Sequence, residues 1–491
     1  MSLEHTSVAP QVYHTEAQNR GVVLLYIERL PNELLIAIAT DLPGIAKKIL
    51  AQVSSQFRPI AEHVLYESIE FFEPKHEIAL LMQTLTSRPE LGHRIRYLRY
   101  NIDSTSPYPV QLSLCPKGLS EDMTQNIPPI TVSMSQAQIL GTILRLTPKL
   151  KSLDLQMMEN DESSNLEEPV LVNDIMVEIL GQVALDKTFD LSQIPGLHSI
   201  EILSINAREI PWTICSLPQL RKLLIPGVER TLSSATGRMS NVTSIELCAR
   251  TNVLRTSSEA SKSMASWLRS FPKLKKLYIN NAFDPQFDDE WEADLEAAAY
   301  DLNLLRNTFS YSTLISALLP AFATLRDLWF IPQMDANLEF LDCLNPIGDL
   351  KCFNALKSII LPQEAFLNRS DARERTISGL ITMKNLPASL EELSILCVDW
   401  SIFPWLESLL AHLRLFPRLK LIELVCYRER GSGYREMKWW WPLFWVTRAL
   451  HRQGVDVRLC DYKGDEWPVD CDDGPAVAEL SESLNYLSIK P

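Results

Sequence analysis

The sequence predicts an α/β solenoid preceded by a short all-helical segment. A three-position apolar frame recurs along most of the chain, and a block of strong helical periodicity is confined to residues 26–72. Glycine is scarce at 16 while proline reaches 30 in 491 residues, so the chain is punctuated by prolines and offers no glycine-rich phosphate loop.

The helical block comes first. From Leu30, Pro31 and Glu33 suit the opening of a helix, and Leu34, Leu35, Ile38 and Leu42 follow on one stripe. Pro43-Gly44 ends it. A second segment carries Ile45, Ile49, Leu50 and Val53, and Ser54 or Ser55 can cap a third helix whose apolar positions are Phe57, Ile60, Ala61, Val64 and Leu65. Three helices in so few residues sit at the lower limit of autonomous folding, so the block is expected to lean on the rest of the chain, on a partner, or on both.

The repeat follows the pattern L-x-x-L-x-L, in which the last two frame positions alternate as a strand with one buried face requires. It reads Ile95/Leu98/Tyr100, Leu150/Leu153/Leu155, Leu197/Ile200/Ile202, Leu220/Leu223/Ile225, Val242/Ile245/Leu247 and Leu274/Leu277/Ile279. It continues as Leu325/Leu328/Phe330, Leu356/Ile359/Leu361, Leu390/Leu393/Ile395 and Leu419/Ile422/Leu424. Pro148, Pro195, Pro218, Pro272 and Pro417 each stand two residues before a first position. Amphipathic stretches (Ile139–Leu146, Ile175–Val183, Met264–Phe271, Leu406–Phe416) precede several frames, giving a unit of helix, proline turn and strand. Such a unit buries its apolar face only by stacking on its neighbours. First positions lie from 22 residues apart (Leu220 to Val242) to 55 (Ile95 to Leu150), which implies inserted loops.

These patterns set the expected organisation: a tail over 1–25, the helical block over 26–72, a linker with a first degenerate repeat over 73–135, the solenoid over 136–465 and a tail over 466–491. Residues 103–135, Asn160–Pro169 and the acidic run Asp284–Asp294 read as irregular connections.

Lys plus Arg number 47 and Asp plus Glu 61, a formal charge of −14. That field disfavours nucleic acid and anionic membrane as partners, and no basic run marks a phosphate-reading face. Nine cysteines stand singly without a C-x-x-C pair, as buried free thiols in a reducing compartment would. Apolar runs such as Gly21–Ile27 and Leu314–Phe322 are too short to span a bilayer, and the first residues lack the order of a signal peptide. The expectation is a soluble protein of cytoplasm, nucleus or both.

No catalytic constellation is present: no H-E-x-x-H, G-x-S-x-G, P-loop or dinucleotide fingerprint, and eight scattered histidines without metal-ligand spacing. Neither a catalytic residue, a metal nor a cofactor is expected. One aromatic cluster, Trp439, Trp440, Trp441 and Trp445, follows Arg428, Arg430, Arg435 and Lys438. It reads either as the cap that closes an open solenoid end or as a grip for a partner protein.

The block Leu30-Pro31-x-Glu33-Leu34-Leu35-x-x-Ile38-x-x-x-Leu42-Pro43, then Val53-Ser54-x-x-Phe57-Arg58, then Leu65-Tyr66-x-x-Ile69, resembles an F-box. Its end, Phe57-Arg58-Pro59-Ile60-Ala61-Glu62-x-x-Leu65-Tyr66, looks especially like F-box proteins of filamentous fungi. The Asp-Leu pair usual in that motif falls here on Ala46-Lys47. The repeats that follow are similar to degenerate leucine-rich repeats. The resemblance implies a substrate receptor of a Skp–cullin–F-box ubiquitin ligase, non-catalytic itself, with a protein substrate held by the repeats. It places Leu30, Pro31, Leu34, Leu35, Leu50, Val53 and Phe57 at the Skp-adaptor interface. A repeat scaffold that never reaches a cullin is the alternative.

Overall fold

A computed structural model of the protein describes residues 29–71, 74–103, 110–114, 130–158, 194–205, 212–228, 239–250, 254–256, 258–282, 310–332, 345–367, 383–398, 402–426 and 440–461. The chain divides into two compact units, Met1–Ile205 with Leu217–Gln219, and Asn206–Ser216 with Leu220–Pro491. The expected tails 1–25 and 466–491, the stretch Ile175–Val183 and the runs Asn160–Pro169 and Asp284–Asp294 lie outside the described residues.

The first unit opens with α1 (Asn32–Thr40), α2 (Gly44–Val53) and α3 (Phe57–Glu67). Pro31 precedes α1 as its cap, and its carbonyl accepts from the amides of Leu34 and Leu35, both at 3.1 Å. Ser54 Oγ accepts from the amides of Gln56 at 3.2 Å and Phe57 at 3.3 Å, satisfying donors that a helix start leaves free. The three helices enclose a core of Leu35, Ala39, Phe57, Ile60 and Val64, with Leu30, Ile36 and Leu50 packed against it.

The helical block does not end in a linker. α3 runs directly into β1 (Ser68–Phe71), which pairs in parallel with β2 (Tyr97–Asp103). Ile69 faces Leu98 and Phe71 faces Tyr100, so the chain from Tyr66 to Phe71 carries an earlier copy of the frame. α4 (Pro74–Ser87) and α5 (Pro89–Gly92) lie between these strands. Just after α4, the Arg88 guanidinium grips Glu62 of α3 through two hydrogen bonds of 3.0 Å, and Arg94 Nη1 donates to the Pro59 carbonyl at 3.1 Å. Arg88, with Arg58 beside it, holds the Glu62 carboxyl below its ordinary pKa.

Part of the expected irregular connection is a hairpin, with β3 (Val110–Leu114) and β4 (Ile130–Met134) pairing antiparallel. α6 (Gln136–Leu146) starts with a reciprocal capping box between Ser135 and Gln138. The parallel ladder continues from β2 to β5 (Ser152–Met158) and β6 (Ile202–Ile205), the latter preceded by α7 (Pro195–Ser199). The frame at Leu197/Ile200/Ile202 is shifted by one step. Leu153 pairs with Leu203 and Leu155 with Ile205, so the inward positions are Ile200, Leu203 and Ile205, while Ile202 is 39% exposed. Pro195 therefore opens α7 as its first residue instead of forming the turn before the strand. α7 packs so tightly on α6 that a Cβ on Gly196 would fall on the Leu144 carbonyl oxygen.

The second unit contains α8 (Trp212–Cys215), β7 (Lys222–Val228), β8 (Ser244–Arg250), α9 (Glu259–Leu268) and β9 (Lys276–Ala282). It continues through α10 (Tyr311–Leu318), β10 (Asp327–Pro332), β11 (Ser358–Pro362) and β12 (Glu392–Val398). It closes with α11 (Phe403–Ala411), β13 (Leu421–Cys426), α12 (Trp440–Arg452) and β14 (Asp456–Asp461). β7 to β14 pair in parallel in sequence order. Gly454 ends α12 at a φ of 85°, a left-handed position that suits glycine, and the Val455 amide reaches back to the Leu450 carbonyl at 3.1 Å.

One turn repeats. The amide of the first frame residue donates to the carbonyl three residues earlier: Leu150 to Thr147, Leu274 to Phe271 and Leu419 to Phe416, each at 3.1 Å. Pro148, Pro272 and Pro417 occupy the second position of these turns, where a fixed φ is pre-set. The residue after the first frame position then gives its carbonyl to two amides of the next strand. Lys275 O accepts from Arg326 N at 2.7 Å and Asp327 N at 3.0 Å, and Arg326 O accepts likewise from Lys357 and Ser358. Inward frame residues are almost wholly buried, Ile95, Val242 and Leu356 included, and each contributes about 1.5–3 kcal/mol.

Candidate functional site

An apolar surface stands out on the helical block. α2 has no buried residue, although Ile45, Ile49 and Val53 form a stripe at four-residue spacing on it. These three, with Leu34 and Ile38 of α1, are between 50% and 76% exposed. Opposite them on α2, Leu50 packs on the core. Helical periodicity offered two parallel stripes on this helix, and tertiary packing selected one of them for the inside.

Of the residues expected at the adaptor interface, Pro31, Leu34 and Val53 are exposed. Leu30 and Leu50 are half-buried against the core. Leu35 and Phe57 lie inside it, so their part is to hold the helices together and they present no surface. Ile38, Ile45 and Ile49 belong to the exposed stripe and were missing from the expected set.

A second surface is the sheet face opposite the inward frame. In the first unit, Arg99 lies 3.5 Å from Asp154 and donates to Gln156 Oε1 at 2.8 Å. The Tyr97 phenol, beside Asp154 and Glu70, is pushed up in pKa, mostly by burial. In the second unit, the Tyr278 and Trp329 rings meet edge-on with centroids 5.9 Å apart, and Trp329 Nε1 donates to Ser358 Oγ at 3.3 Å. Ser394 Oγ donates to Glu423 Oε2 at 2.9 Å, and Cys460 Sγ lies 3.6 Å from Glu423 Oε1.

At the strand entrances, Glu391 sits between Lys357 Nζ at 2.6 Å and Lys420 Nζ at 3.0 Å, which together lower its pKa to about 2. The same entrances carry a row of cations that sequence reading missed. Residues 31 to 63 apart in the chain, Arg221, Lys275, Arg326, Lys357 and Lys420 hold the equivalent place in five repeats, with Thr243 and Glu391 at that place in the repeats between them.

Of the tryptophan cluster, Trp439 and the side chains of Trp440 and Trp441 lie outside the described residues. Trp445 is exposed on α12, whose Val446 and Leu450 are buried. α12 packs beside α11 and feeds β14, so it takes the place of an ordinary repeat helix.

Among the described residues, no three His, Cys, Asp or Glu side chains gather in a way that could hold a metal ion. No described helix is long and apolar enough to cross a membrane. Cys215, Cys248, Cys352, Cys397 and Cys460 are free thiols, and burial pushes the Cys215 thiol up to about 12. No family model matches the chain, and no curated protein matches it.

Proposed function

We propose that the chain is a substrate receptor of a Skp–cullin–F-box ubiquitin ligase. The F-box-like helices dock on the Skp adaptor, cullin is reached through it, and leucine-rich-repeat-like units hold a protein substrate. The observation that carries this reading is the unpartnered stripe of Ile45, Ile49 and Val53 on a helix with no buried side chain, flanked by Leu34 and Ile38. Apolar side chains in such a row are held out of the core only at a cost in solvation, and covering them is what a helical partner does. The chain supplies proximity and no bond chemistry: tethering raises the concentration of target lysines near the transfer site. Buried free thiols suit a reducing compartment, cytoplasmic or nuclear.

A second reading rests on Ala46 and Lys47, which replace the usual Asp-Leu pair near the start of α2. It keeps the repeat scaffold and drops the cullin.

Co-purification of the intact chain with the adaptor and a cullin decides between them. Capture of both supports the receptor, capture of the adaptor without cullin supports the scaffold, and failure to capture the adaptor overturns the F-box reading.

A further inference from the structure

We propose that the strand entrances of β9, β10 and β11, with the aromatic row beside them, bind an extended acidic peptide segment of a partner protein. Lys275, Arg326 and Lys357 sit one residue ahead of the paired positions Lys276, Asp327 and Ser358, so they align across three consecutive strands. The backbone fixes that alignment, because each carbonyl in the row accepts the amide of the next member. Neighbouring strands are about 4.8 Å apart, so the three cations crowd into about 10 Å.

Among the described residues, a local acid neutralises Lys357 alone of the three cations. Asp327 is taken by Lys276 at 3.2 Å, and Glu391 by Lys357 and Lys420. Lys275 and Arg326 are exposed and have no ion pair among the described residues. Like charges directly opposite one another destabilise a sheet, so the fold carries a penalty here that an anionic ligand relieves.

Three residues further along the same strands lie Tyr278, Trp329 and Ile360, paired in register and half-buried. The two rows are about 10 Å apart. A peptide running across the strands sets carboxylates over the cations and apolar side chains over the rings. A nucleic acid fits less well, because it carries charge along its whole length and the chain's formal charge of −14 disfavours an extended polyanion, whereas a short acidic segment meets the local cations. The inference deepens the receptor reading by naming a substrate class, but its test needs no adaptor.

The test is fluorescence anisotropy on the full chain. The probes are a labelled peptide of alternating glutamate and leucine, its lysine–leucine counterpart, and an oligothymidylate. The glutamate peptide is expected to bind, to weaken about tenfold in Lys275→Glu/Arg326→Glu, and to weaken again as salt rises from about 50 to about 300 mM. Trp329→Ala weakens it too. A charge-matched reversal of exposed helix cations, Lys262→Glu/Arg448→Glu, leaves binding unchanged. The proposal is overturned if the glutamate peptide fails to bind, if both double reversals act alike, if the lysine peptide binds equally well, or if the oligonucleotide binds tighter. A structural role is read separately: Lys275→Gln/Arg326→Gln is expected to hold or raise Tm while weakening the peptide, and a fall of several degrees overturns the proposal.

Discussion

Replacing Ile45 and Ile49 together with alanine separates surface from core on the helical block. Full burial of an isoleucine is worth about 1.5–3 kcal/mol. The two side chains are 76% and 56% exposed, so about 1–2 kcal/mol each is unrealised in the free chain and available to a partner. The double variant is therefore expected to lose about 2–3 kcal/mol of adaptor affinity, or roughly 30- to 150-fold in Kd. Its own stability should move by no more than about 0.5 kcal/mol, since no buried contact is removed and alanine favours helix. Phe57→Ala is the contrast. That ring lies in the block's core, and its loss should cost about 3–5 kcal/mol of stability. Titration calorimetry against purified adaptor gives the first number and urea unfolding the second. An alanine pair that destabilises the chain by more than about 2 kcal/mol, or binds the adaptor like the parent, refutes the reasoning.

Other consequences are equally direct. At β6, Leu203→Ala should cost about 2–5 kcal/mol, whereas Ile202→Ala, at a side chain 39% exposed, should cost about 1–2 kcal/mol; a cost at Ile202 at or above that at Leu203 in a denaturant titration would return the frame to its unshifted register. Gly196→Ala drives a methyl into the Leu144 carbonyl and should cost about 1–3 kcal/mol, read as a lower urea midpoint at unchanged slope. The Glu391 carboxyl, held down to about 2 by Lys357 and Lys420, stabilises the fold above its ordinary pKa of 4.5. That contribution fades as pH falls from there towards 2, and Glu391→Gln should flatten stability against pH across the same window.

What could be read in the chain follows from what each pattern measures. Alternating burial needs only apolar side chains every second residue, so the frames at Ile95, Val242 and Leu356 showed themselves without knowledge of their neighbours. The copy at Leu197 misled because Leu197 and Ile200 are both buried and the frame fits either as its first position; the pairing of Leu153 with Leu203 decides, and pairing is a tertiary fact. Leu65, Tyr66 and Ile69 looked like the end of a helical motif, yet the chain passes into a strand at Ser68 once β2 offers an edge. On α2, Ile45/Ile49/Val53 and Ala46/Leu50 are equally helical stripes, and periodicity is blind to which one α3 covers. The cationic row was hidden for another reason: its members are scattered along the chain, and register alone brings them side by side.

The two surfaces differ in the force that would fill them, and ionic strength tells them apart. Burial of Ile45, Ile49 and Val53 is non-directional and depends little on screening. Attraction between Lys275, Arg326 and an acidic segment weakens as the Debye length shrinks from about 10 Å at 0.1 M salt to about 3 Å at 1 M. Raising salt on one preparation should leave adaptor binding within about twofold while the glutamate peptide is released. If both fall together, the adaptor contact is electrostatic, and the apolar stripe on α2 has some other occupant. If neither falls, the peptide is held by Tyr278 and Trp329 alone, and the alignment of cations across β9, β10 and β11 has no part in binding.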